Sequence, residues 1–167
     1  MEPETLLAME HNIFTPGNYF YNGVGHVTVK YGEVLAIGFS GIKAKAQAEL
    51  DKLCLADGDY QKKSRFLEAV MISCDAAIEY ARRYARLALK EAEECTDPVR
   101  KRELLQIAQN CANVPEKGAT GFYEACQSFW FVQQLLQIES SGHSISPGRF
   151  DQYMYCLLYT SDAADDS

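Results

Sequence analysis

Two of the three histidines in this 167-residue chain have neighbours suited to chemistry. His26 stands in VGHV and His143 in SGHS. Each follows a glycine directly, where an irregular loop meets regular structure. A scaffold commonly presents polar groups to a ligand at such junctions. Imidazole titrates close to neutral pH, so either ring can hold a hydroxyl or move a proton to or from one. Ser144 adds a hydroxyl beside His143. Adjacent side chains of an extended segment point opposite ways, which argues against a serine–histidine nucleophile pair. The two serve better as separate hydrogen-bonding groups for a hydroxylated ligand. Arg149 and Asp151, two residues apart, read as a structural ion pair or a turn brace.

The elements that must position these groups are mostly helical. A short helix is expected over residues 3–12. Residues 14–26 carry Pro-Gly, Asn-Gly and a further glycine among four aromatics, and must be loop. HVTVKY is a brief β-like alternation. Helical sequence resumes near Glu33, with interruptions at Gly38 and Gly41. The strongest periodicity lies between Asp59 and Cys95. There Phe66, Val70, Cys74, Ala77, Ala81, Tyr84 and Ala88 step by three and four along one face. Such a helix is on the order of 50 Å long at 1.5 Å per residue, and needs a larger body to lean on. Asp97 as N-cap and Pro98 at the first helical position start the next helix, and Pro115 and Gly118 end it. In the helix after Gly121, Phe122, Ala125, Phe129, Val132 and Leu136 form a stripe. Trp130, Phe131 and Leu135 widen it, so burial on most faces is expected.

Composition narrows the function. Apolar residues make up 47% of the chain, enough for a core. A net charge of −7 gives no basic face for nucleic acid. No apolar run reaches membrane-spanning length, and the acidic start does not resemble a signal peptide. The six cysteines form no C-x-x-C pair and have no histidine at zinc-ligand spacing. Buried, reduced thiols in a cytoplasmic protein are expected. NGVGHVT lacks the third glycine of a dinucleotide fingerprint, and no P-loop, H-E-x-x-H or G-x-S-x-G is present.

Two blocks carry a resemblance. NYFYNGVGHVTVKYGEVLAIGFSGI (residues 18–42) and FYEACQSFWFVQQLLQIESSGHSISPGRFDQYMY (residues 122–155) resemble the pyruvate formate-lyase-like domain of glycyl radical enzymes. RFLEAVMISCDAAIEYARRYARLA fits the long helix of that family. SPGRFDQYMY is specific to the superfamily. GHVTV together with GHS is most similar to the B12-independent glycerol or propane-1,2-diol dehydratase branch.

The resemblance implies a mainly α piece of an α/β barrel, mostly helices with few short strands. Residues 1–155 would be a partial domain. It implies that His26, His143 and Ser144 hold substrate hydroxyls; imidazole chemistry then suits His26 to hold or protonate one of them, while His143 and Ser144 orient the diol. The family reaction needs a cysteine thiyl and a C-terminal glycyl radical installed by a radical SAM activating enzyme, and no cofactor bound directly by this part. None of the six cysteines has glutamate two residues on, as the family's catalytic cysteine does. The piece alone is therefore expected to be inactive. Its expected partners are a small polyol, the activating enzyme and, in the parent, a second copy, in the cytoplasm or a microcompartment. CLLYTSDAADD resembles a translated sequencing-library adapter, so residues 156–167 are expected to be non-native, and Met1 to be an internal methionine. Formate acetyltransferase, choline trimethylamine-lyase and decarboxylase types would need pockets for acyl, cationic or aromatic substrates. A non-catalytic helical binding module would instead cover its helical stripes within the chain.

Overall fold

The computed structural model describes residues 3–11, 13, 27–140 and 145–158. They form helices α1 (Pro3–Glu10), α2 (Tyr31–Leu50), α3 (Tyr60–Glu94), α4 (Pro98–Asn113), α5 (Phe122–Ser140) and α6 (Phe150–Leu158), with strands β1 (Val27–Thr28) and β2 (Ile145–Ser146). The expected mainly helical fold with few short strands is what the chain adopts. It divides into two compact units, one of Met1–Val29 with Gln133–Gly148 and the other of Lys30–Val132 with Arg149–Ser167.

In the larger unit, α3 packs against α4 and α2. Its inward line is Cys74, Ile78, Ala81, Ala85, Ala88 and Ala92, spaced by three and four. Short alanine side chains let a neighbouring helix come close. Ala81 and Ala85 meet Cys111 of α4 and Phe131 of α5 in one apolar cluster. The expected stripe is partly corrected here. Phe66 is 67% exposed and Tyr84 is 39% exposed, because the small-residue face, slightly rotated from them, is the one the neighbours approach. Trp130 is also exposed, at 55%, against the expectation that α5 is covered there.

A second cluster joins Leu35 of α2, Ala125 of α5 and Met154 of α6, with Phe122, Cys126 and Tyr153 packed on it. Tyr31 is buried, its ring centroid 4.7 Å from Phe129 and 5.6 Å from Tyr153. α6 has no counterpart among the expected elements.

The predicted N-cap of α4 is present: the Val99 amide donates to Asp97 Oδ1 at 2.8 Å, with Pro98 behind it. α2 breaks at Gly38 (φ 63°, ψ −179°), and continues helically through Gly41. The segment 115–119 fills the break. The amides of Phe39 and Ser40 donate to the carbonyls of Pro115 and Glu116, and the Ala119 amide donates to the Leu35 carbonyl. A Cβ on Gly38 would lie 2.3 Å from the Glu116 oxygen, so only glycine fits. Among the described residues five cysteines are free; Cys74 and Cys111 are buried, while Cys54 is exposed rather than buried.

Candidate active site

His26, His143 and Ser144 lie outside the described residues. Their frame is described, and it belongs to the smaller unit. β1 begins at the residue after His26, and β2 at the residue after Ser144. The strands pair in parallel, with Val27 opposite Ile145 and Thr28 opposite Ser146. Two segments more than a hundred residues apart in sequence therefore run side by side.

Three local contacts hold this short ladder. From α5, the Gln133 side-chain amide donates to the Ile145 carbonyl at 3.3 Å. Beyond β2, the Gly148 amide donates to Ser146 Oγ at 3.2 Å. Gly148 has φ 68°, and a Cβ there would stand 2.9 Å from Thr28 Cγ2. The pairing, Gln133 and the Thr28–Gly148 approach are missing from the residue-level reading. A two-residue strand has no period to detect, although the Pro-Gly pair at 147–148 does mark a turn.

In the larger unit, Arg149 Nη1 donates to Gln152 Oε1 at 3.3 Å. No ion pair joins it to Asp151 among the described residues; of the two expected roles the brace is the one seen, with Arg149, just before α6, bonded to its first turn. Burial pushes the thiols of Cys74 and Cys126 up in pKa and that of Cys111 to about 11. These are packed thiols, unlike the accessible low-pKa thiolates of reactive sites. Among the described residues no group of His, Cys, Asp and Glu could hold a metal ion. No helix there is long and apolar enough to cross a membrane.

Comparison with known proteins gives matches over most of the chain. The family model described as Pyruvate formate lyase-like matches residues 1–166. A solved structure titled for 1,2-propanediol dehydration in Roseburia inulinivorans is 62% identical, with a TM-score of 0.83 over 99% of this chain and 20% of that one. The glycerol-bound B12-independent glycerol dehydratase from Clostridium butyricum is 51% identical, with a TM-score of 0.82 over 97% of this chain and 21% of that one. The (2S)-3-sulfopropanediol dehydratase of Klebsiella oxytoca is 43% identical over 86% of this chain and 17% of its own length. The chain thus spans about a fifth of the length of the relatives it matches. A family match over nearly every residue, with identity well above that needed to share a fold, places the chain in the pyruvate formate lyase-like family of glycyl radical enzymes.

Proposed function

We propose that this chain is the substrate-binding part of a glycyl radical lyase that dehydrates a small neutral diol, propane-1,2-diol or glycerol, to an aldehyde. His26, His143 and Ser144 contact the hydroxyls. The observation that carries this reading is the ladder register. Val27, next after His26, is the partner of Ile145, next after Ser144. The polypeptide therefore leads from both candidate segments into one paired element.

The glycyl radical of the family, once installed by a radical SAM activating enzyme, supplies hydrogen-atom abstraction from the substrate carbon. This chain's thiols do not fit the radical-relaying cysteine, since none has the Cys-x-Glu pattern and three are packed in apolar surroundings. Its residues bind, orient and move protons. Hydroxide is a poor leaving group, whereas a hydroxyl that receives a proton as its C–O bond breaks departs as water. An imidazolium N–H is suited to give that proton near neutral pH. His143 and Ser144 fix which hydroxyl faces His26. On this reading the parent is a homodimer of the cytoplasm or a microcompartment.

A self-contained helical binding module fits less well. Phe66, Ile72, Tyr123 and Trp130 are all more than half exposed on long helices, and such a module would cover them. The test is turnover in the full-length parent, recovered by extending the coding sequence. His26→Ala should lower kcat/KM for the diol by about 10²- to 10⁴-fold, with an unchanged circular dichroism spectrum. Wild-type kinetics in that variant would remove His26 from the mechanism.

A further inference from the structure

We propose that Thr28 and Gly148 form a register lock for the β1–β2 ladder and are positioning residues for His26 and Ser144; this rests on the dehydratase reading above. Strand register is strongly specified when one face of a sheet is buried. This ladder lacks that constraint. It pairs only two residues on each strand, Val27 and Thr28 are exposed, and Ile145 is half-buried. A slip by one residue would exchange the faces of the two side chains on the shifted strand relative to its partner and change which residues lead into the pair.

Local contacts must therefore set the register, and three converge on β2. Gln133 holds the Ile145 carbonyl. Ser146 Oγ accepts from the Gly148 amide, folding the chain back just past the strand. Gly148 itself adopts the left-handed conformation, and its Cα lies against the methyl of Thr28, where a Cβ would stand 2.9 Å away. Thr28 is the partner of Ser146. The methyl thus sits in the space that the missing side chain leaves, beside the pairing of Thr28 with Ser146. Gly148 serves both by its backbone conformation and by the space it leaves for Thr28.

Gly148→Ala and the double variant Gly148→Ala with Thr28→Ser separate these roles, since serine lacks the methyl that the new Cβ would meet. Two readouts are taken in the full-length parent: deuterium uptake of peptides covering residues 27–28 and 145–146, and KM and kcat for propane-1,2-diol. Gly148→Ala should speed uptake in both peptides and raise KM at least tenfold, with a smaller change in kcat. The double variant should recover part of both effects, leaving the backbone strain. Unchanged uptake in Gly148→Ala, or a double variant no better than the single, overturns the lock. Faster uptake with unchanged KM and kcat in a parent that turns over the diol overturns the positioning role. If the wild-type parent turns over no diol, the dehydratase reading fails, and uptake with its rescue by Thr28→Ser alone decides the lock.

Discussion

Among the carboxylates of the larger unit that folding depresses, Glu33 and Glu124 are depressed for different reasons, and acid unfolding can tell them apart. Glu33 is held down to about 2 by hydrogen bonds from Lys30 and then Lys45, with their charges adding to the effect. Both lysines are exposed, so salt should screen this pairing. At Glu124, partial burial works against ionisation. The Thr120 amide at 2.8 Å, the Asn113 side-chain amide at 2.9 Å and the Thr120 hydroxyl at 2.8 Å outweigh it, and the net shift is downward. A carboxyl depressed by folding stabilises the fold above its unfolded pKa, and that stability is lost as pH falls towards the folded value. The melting temperature should therefore fall as pH drops below about 4.5. Glu124→Gln should flatten part of that decline, and the flattening should persist in high salt. Parallel profiles for the variant and the wild type would exclude Glu124 as a source of the acid sensitivity.

At the scale of elements, the broken helix α2 and the segment that fills it act as one unit. A Cβ on Gly118 would lie 2.3 Å from the Ala36 carbonyl oxygen, and backbone cannot move aside as a flexible side chain can. Gly118→Ala should destabilise by about 2–3 kcal/mol or more, lowering the urea midpoint with the slope unchanged. Gly121→Ala is the control, because nothing lies within 4 Å of its Cβ position; equal loss in both variants would refute the close-approach argument. The break at Gly38 is legible in the sequence because glycine is a local signal. Its filling by residues 115–119 is not, because that partner lies far along the chain. Asp97 and Pro98 are legible for the same local reason. The phase of α3 is only half legible, since apolar residues such as Ile72, Leu87 and Leu89 also lie on its outer sides and periodicity alone admits neighbouring phases. The candidate site divides in the same way. Glycine-flanked histidines mark His26 and His143 locally, whereas the pairing of Val27 with Ile145 joins distant segments through strands too short to show a pattern.

At the scale of the whole molecule, several large apolar side chains of the described residues stand in water. Leu55, Phe66, Ile72, Tyr123 and Trp130 are exposed at 81%, 67%, 69%, 67% and 55%. The relatives are about five times longer, with this chain covering 20% of one solved structure and 21% of another. Trp130 is the sole tryptophan and so reports its own surroundings. In the 167-residue chain its fluorescence should be readily quenched by acrylamide, and the chain should bind a hydrophobic dye. Trp130→Glu should reduce dye binding without lowering the unfolding midpoint, because little packing is lost at a half-exposed site. If further polypeptide packs on this face of α5 in the full-length parent, the same substitution should lower the midpoint there, because it would bury a charge. A Trp130 shielded from acrylamide in the 167-residue chain, or a parent indifferent to Trp130→Glu, would show that this face of α5 is not an inner surface of a larger body.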